Sequence, residues 1–160
     1  MLTVERLRAD HAPALLAFER ENRAYFARSI PDRGEAYFAE FAERHRALLA
    51  DQEAGLLHFH VVLDEEGDLI GRVNLVCDRQ DGPELGYRIA RRAAGRGVAT
   101  AAVAEVCRLA AEAYGLTELG AVTTVDNLAS RTVLERNAFV RVGELTLTGR
   151  PGLRYHRALP

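Results

Sequence analysis

Residues 88–100 read RIARRAAGRGVAT: Arg91 and Arg92, then Gly95 and Gly97 with Arg96 between them, then an alanine-rich stretch of helical periodicity. A strand that turns directly into a helix leaves the first amide N–H groups of that helix unpaired and pointing outward. The helix dipole adds positive potential at the same place, and glycines let an anion approach the bare backbone. Thr100 adds a hydroxyl from the first turn. The pattern suits a phosphate group, while a tight turn with solvated arginines would use the same residue types. The loop lacks the Gly-Lys-Ser/Thr end of a Walker A motif. It also follows the fourth strand of the pattern rather than the first, which sets it apart from a dinucleotide fingerprint.

Three other groups of residues have types and spacing suited to chemistry. Asn127 and Ser130 stand three apart at the start of a short helix pattern, where they also suit an N-cap and a first-turn hydroxyl. Glu84 opens the strand pattern 84–90 and shares a face with Gly86 and Arg88, while Tyr87 reads as core or wall. His58 and His60 lie on one side of a strand, but the sequence places no third ligand, so no metal is expected. A pocket wall or a satisfied pair is the reading for these histidines, and Tyr155 and His156 are further candidates for the wall of an acceptor pocket. Cys77 and Cys107 sit in apolar patterns without metal-ligand spacing and read as buried thiols.

These residues need elements to hold them. Alternation over 2–8 predicts a strand, and Asp10 offers an N-cap for the helix after it. Residues 32–55 carry the apolar stripe of one long amphipathic helix, and 56–77 read as a hairpin turning at Glu65–Asp68. A strand at 84–90, a helix over 97–114 stopped by Gly115, a strand at 116–125, a helix over 126–137 and strands at 138–147 and 152–160 complete the chain. The order β-α-α-β-β-β-α-β-α-β-β predicts a mixed α/β sheet in one domain spanning 1–160. A net charge of −2 with 48% apolar residues speaks against nucleic-acid or membrane-surface binding. All 21 basic residues are arginine, which fits codon usage in a GC-rich genome. No signal-peptide pattern opens the chain, so a soluble cytoplasmic location is expected.

The run R-x-x-G-x-G at Arg92–Gly97, after LGYRI, resembles the acetyl-CoA signature of the GCN5-related N-acetyltransferases (GNAT). The segment VDNLASRTVLERNAFVRVG at 125–143 is similar to a second stretch of that superfamily, N-x-x-S-x-x-V-L-E-x-x-G-F. Together with ELGYRIA it looks like the bacterial RimJ/RimL-like subgroup that acetylates ribosomal-protein N-termini, and the likeness covers the chain from about residue 57 onward. The resemblance implies a GNAT fold, a mostly antiparallel sheet of about seven strands flanked by four helices. It implies an enzyme that moves an acetyl group from acetyl-CoA to a primary amine, most directly the α-amine of a protein or peptide, and releases CoA. A polyamine or antibiotic acceptor and a non-catalytic acyl-CoA sensor are the alternatives, and a monomer or homodimer is implied.

The same resemblance assigns roles to residues. Backbone N–H groups from Arg92 through Gly95, Arg96, Gly97, Val98 and Ala99 to Thr100 would take the pyrophosphate. Arg88, Ile89 and Ala90 would pair with the pantetheine where the fourth strand splays from the fifth, and an N–H near Ile89 would polarise the thioester carbonyl. Asn127 would bind the pantetheine arm, Ser130 would protonate the thiolate, and Glu84 would take the amine proton through water. Two departures stand out: Ala94 precedes Gly95 where relatives carry arginine, and Ala138 stands where they carry glycine before the phenylalanine. If position 138 needs a positive φ, alanine costs on the order of 1 kcal/mol unless Asn137 takes the left-handed conformation instead.

Overall fold

In a computed structural model describing residues 2–160, seven strands form one sheet. They are β1 (Thr3–Arg6), β2 (Leu57–Leu63), β3 (Leu69–Val76), β4 (Glu84–Ile89), β5 (Glu118–Thr124), β6 (Val140–Leu147) and β7 (Arg150–Ala158). The order across the sheet is β1-β2-β3-β4-β5-β7-β6. Every neighbouring pair is antiparallel except β4 with β5, which share the single parallel rung Glu84↔Gly120. Each of these two strands is held on its other side, β4 by six rungs to β3 and β5 by seven to β7. Beyond Glu84 they are free to separate.

The described residues form six α-helices: α1 (Ala12–Glu21), α2 (Arg23–Phe26), α3 (Glu35–Ala39), α4 (Phe41–Glu53), α5 (Val98–Glu112) and α6 (Leu128–Arg136). The excess over the expected four comes from breaks at single residues. The helix expected over 32–55 is interrupted at Glu40, whose φ of −102° and ψ of 16° leave the helical range, and becomes α3 and α4. Asn22 separates α1 from α2 with a φ of −103°. Its buried amide donates to the Phe18 carbonyl at 2.9 Å and accepts the Arg91 N–H at 3.0 Å, tying the end of α1 to the loop after β4. Asp10 is not the cap the sequence suggests. It lies in a 3₁₀ turn, Ala9–His11, and pairs with Arg8 at 3.1 Å, while α1 begins at Ala12 with a proline in its first turn.

The hairpin turn between β2 and β3 matches its sequence signal. Asp64 Oδ1 accepts the N–H groups of Glu66 and Asp68 at 3.0 and 2.9 Å, and Gly67 supplies a φ of 83°. Both faces of the sheet are covered. On one, Val73, Leu75 and Leu85 pack with Val103, Val106 and Ala110 of α5 and Leu134 of α6. On the other, Phe59 and Val61 pack with Leu15 and Phe18 of α1, Phe26 of α2 and Phe41 of α4. Cys107 is buried as expected, while Cys77 is only half-buried. Among the described residues no helix is long and apolar enough to cross a membrane.

Candidate active site

The glycine loop is shaped by backbone dihedrals rather than by crowding. Gly95 and Gly97 have φ of 74° and 76°, and a Cβ at either would meet nothing within 4 Å. Gly97 is the N-cap of α5 and brings no side chain to it. The first hydrogen bond of the helix runs from the Ala101 N–H to the Gly97 carbonyl at 3.1 Å. The amides of Val98, Ala99 and Thr100 therefore lack intrahelical acceptors, and they front the open space left by the glycines. The nearby arginine side chains serve the loop. Arg96 donates to the Arg92 carbonyl at 3.0 Å, and Arg92 reaches Asp64 at 3.7 Å.

This helix start opens onto a cleft of about 860 Å³ where β4 and β5 diverge. Its walls include Tyr87, Arg88 and Ile89 of β4, Gly95 to Thr100 apart from Arg96, Ala121 to Thr124 of β5, Asn127 and Ser130 of α6, and the segment Tyr25–Pro31 after α1. Backbone polarity alternates along β4. The Ala90 N–H donates to the Ile70 carbonyl at 2.8 Å, so Arg88 and Ala90 direct their backbone groups to β3 and Tyr87 and Ile89 direct theirs into the gap. Of the three positions expected to pair with a pantetheine, Arg88, Ile89 and Ala90, only Ile89 has its backbone free to do so. Ala90 is buried, and Arg88 turns its guanidinium towards the opposite face, where it meets Glu19 at 3.5 Å. Ile89 comes close to β3 because position 71 is glycine: a Cβ there would lie 2.5 Å from Ile89 Cδ1.

Asn127 caps α6, its Oδ1 accepting the Ser130 N–H at 3.1 Å, which leaves its NH₂ group for a ligand. The Tyr87 phenol and the Ser130 side chain both line this cleft, one from β4 and one from α6. Burial pushes that phenol above its ordinary value and the serine partly offsets this, so Tyr87 holds its proton at neutral pH. Strand alternation marks Tyr87 as core or wall, and the structure places it on the cleft wall. Glu84 is not brought into this group. It sits on the one rung where β4 and β5 pair, outside the cleft walls, with Arg79 at 3.5 Å. The cleft walls hold Arg28, Arg88, Arg136 and Arg150 but, among the described residues, no Asp, Glu or His.

Other candidates lie elsewhere. Tyr155 is buried in the core with its hydroxyl on Glu135 at 3.0 Å, and His156 pairs with Glu118 at 3.1 Å on the far side of β5; neither lines the cleft. His60 is fully buried, with Nδ1 and Nε2 3.2 and 2.5 Å from the Val73 carbonyl and the Tyr114 hydroxyl. His58 stacks on Tyr114 at 3.8 Å. No cluster of three metal-ligating side chains occurs among the described residues. Position 138 adopts φ 65°, so alanine itself takes the left-handed conformation. Asn137, at φ −101°, acts through its side chain instead. Its amide donates to the carbonyls of Thr100 and Val133 at 3.2 and 3.0 Å, fastening the end of α6 to the first turn of α5.

The chain is similar in structure to acetyltransferases of known fold. One, the ribosomal-protein-S5-alanine acetyltransferase of Vibrio fischeri, superposes with a TM-score of 0.90 at 22% identity over 98% of this chain and 92% of its own. The ribosomal L7/L12 α-N-protein acetyltransferase RimL, in complex with CoA, gives 0.87 at 18% identity over 99% and 94%. A spermidine N-acetyltransferase chimera from Vibrio cholerae and hSSAT gives 0.78 at 22% over 98% and 95%. No curated protein matches the sequence. The model of the acetyltransferase (GNAT) domain matches residues 1–140, and with the splayed sheet and the uncapped helix start this shows that the chain belongs to the GNAT acetyltransferases.

Proposed function

We propose that this transferase binds acetyl-CoA in the cleft between β4 and β5 and acetylates the α-amine of a peptide or protein N-terminus. The observation that carries the reading is the single rung between β4 and β5, which leaves a free strand edge leading to an uncapped helix start. Both features fit the cofactor: an extended arm pairs with a strand edge, and a pyrophosphate sits on helix-start amides. Continuity of the sheet from Thr3 to Ala158 supports one domain over 1–160.

The amides of Val98, Ala99 and Thr100 take the pyrophosphate, with Gly95 and Gly97 keeping the approach open. The Tyr87 and Ile89 edge of β4 and the Asn127 NH₂ hold the arm. Bound there, acetyl-CoA supplies a thioester carbonyl for the amine to attack. The Ile89 N–H is positioned to polarise that carbonyl, a backbone donor that needs no reorganisation. Ser130 delivers a proton to the departing sulfur, and the Tyr87 phenol, protonated at neutral pH, lines the same wall as a second acid. The amine gives up its own proton to water, since among the described residues the walls present no carboxylate or imidazole. That lining also bears on the acceptor. Four arginines and no acid on the walls repel a polyamine, and the open mouth between Tyr25–Pro31 and β4 suits a peptide end.

The test is calorimetric titration with acetyl-CoA of the wild type and of Ala99→Glu. The substitution keeps helical dihedrals, is tolerated by the helix dipole, and puts a carboxylate where the pyrophosphate must sit. Micromolar binding by the wild type, lost in the variant, is expected, followed by thiol release with N-terminal peptides and none with spermidine. A folded wild type that binds no acetyl-CoA overturns the reading.

A further inference from the structure

On the face of β3 and β4 opposite α5, one buried carboxylate holds three guanidinium groups. Glu19 of α1 is 1% exposed and meets Arg33 at 3.1 Å, Arg72 at 3.0 Å and Arg88 at 3.5 Å, with the Tyr37 hydroxyl at 3.4 Å. Arg72 and Arg88 stand directly opposite each other on β3 and β4, a like-charge pairing that destabilises a sheet. The neighbouring acids do not balance the cluster. Asp32 and Glu35 are taken by Arg23 at 2.8 Å each, and Glu40 by Arg44 at 3.6 Å. Arg44 itself adds positive charge over the Tyr37 ring. The cluster therefore carries an excess of two positive charges, three arginines against one glutamate.

Nor are its donors used up. Arg72 donates to Asn74 Oδ1 at 3.1 Å, but the Nε–H groups of Arg33 and Arg72 are buried without a partner. Burial, with the charge of Arg33 next in weight, lowers Arg72 and brings Arg88 down to about 10. An excess of buried positive charge is costly to keep unless something of opposite sign arrives to balance it. The place of arrival is defined, because Arg88 lies between Tyr87 and Ile89 and lines the cleft, and Phe26, which stacks on Arg88, belongs to the facing wall.

We infer that this cluster recognises a carboxylate carried by the acceptor, within about one residue of the amine, and that the enzyme prefers acidic acceptors. Arg33 and Arg88, at 24% and 16% exposure, receive the acid through paired N–H donors, and Glu19 fixes their geometry in advance. The inference rests on the α-amine reading above and adds the charge of the first residue to it. The carboxylate has two sources with one chemistry: the side chain of an N-terminal Asp or Glu, or the α-carboxylate of a free amino acid.

The experiment measures kcat/KM by thiol release for C-terminally amidated tetrapeptides starting with Asp, Glu, Asn or Gln, for free aspartate and glutamate, and for spermidine. Wild type is expected to favour an acid over its amide isostere by at least about tenfold, as one buried charge pair allows. Arg33→Gln is expected to bring that ratio to about one, since Arg33 lies in the segment between α2 and α3 and its loss leaves the sheet intact. Retained acetyl-CoA binding shows that the variant is folded. Free amino acids outperforming every amidated peptide assigns the α-carboxylate as the source; acidic peptides outperforming free acids assigns the side chain. Equal turnover of acid and amide, or an acid preference that survives Arg33→Gln, overturns the inference while the transferase stands. Spermidine as the best acceptor overturns both the inference and the α-amine reading. If no amine releases thiol, calorimetry on the CoA-loaded protein compares the same tetrapeptides N-acetylated on Asp and on Asn. Tighter binding of the acid then upholds the anion site as catalysis fails, and equal or absent binding overturns it.

Discussion

At the residue scale, the chemistry proposed for the cleft rests on hydroxyl groups. The Tyr87 phenol stays protonated because burial disfavours its anion, and it shares the cleft wall with Ser130 of α6. Tyr87→Phe is expected to lower kcat by roughly 10²-fold, the lower end of what a general acid contributes, with acetyl-CoA affinity held close to wild type. Glu84→Gln is the contrasting measurement in the same assay. A carboxylate on the closed rung of the β4–β5 pair, beside Arg79 and outside the cleft walls, is not placed as a general base, so turnover should escape the roughly 10²–10⁴-fold loss that follows removal of one. The sequence supports the opposite expectation for Glu84, because strand alternation gives its face but not its distance along a diverging pair. Asn127 and Ser130 are legible from spacing alone, since a cap and its first-turn partner are local geometry.

At the element scale, α6 is placed by its ends. Asn127 caps the start, and Asn137 fastens the last turn to the Thr100 carbonyl in the first turn of α5, next to the free amides at that helix start. The chain then leaves α6 through Ala138 at φ 65°, a conformation that favours glycine. The strain of roughly 1–2 kcal/mol for an L-residue there is partly offset by the extra unfolded-state freedom of glycine. Ala138→Gly is accordingly expected to stabilise the protein by about 1 kcal/mol and raise Tm by roughly 2–4 °C in a thermal melt. A Tm that falls would mean that residue 138 is not strained. The breaks at Asn22 and Glu40 are hidden from sequence periodicity, which continues through both. Asn22 breaks the helix because its side chain is claimed by the Phe18 carbonyl and the Arg91 amide, and the second of these lies 69 residues away.

At the scale of the whole molecule, the core makes stability depend on pH. His60 is a β2 residue, 0% exposed, and burial brings it down to about 4. A histidine depressed in the folded state binds protons more readily when unfolded. Its contribution is complete above the unfolded value near 6.5 and is lost as pH falls from there towards 4, by about 3 kcal/mol at most. His60→Gln keeps hydrogen-bonding groups without a titration, so the fall in denaturant stability between pH 7 and pH 4.5 should shrink by about 2 kcal/mol relative to wild type. An unchanged fall would mean that the acid sensitivity comes from other groups.

Features that depend on neighbours along the chain are readable from the residues in order. Dihedrals near 75° favour glycine at 95 and 97, and the amides after them are free because nothing in RGVAT caps them. The order of strands and helices and the hairpin at residues 64–68 follow from periodicity and turn chemistry in the same way. Features that depend on which side of a strand meets what belong to the packed molecule. Only the register of β4 against β3 gives Ile89 a free amide and denies one to Ala90. Only the packing of α1 under β3 and β4 gathers Arg33, Arg72 and Arg88 around Glu19, residues separated by up to 69 positions whose charges look ordinary one at a time. Charge becomes informative when burial removes the water that would otherwise screen it.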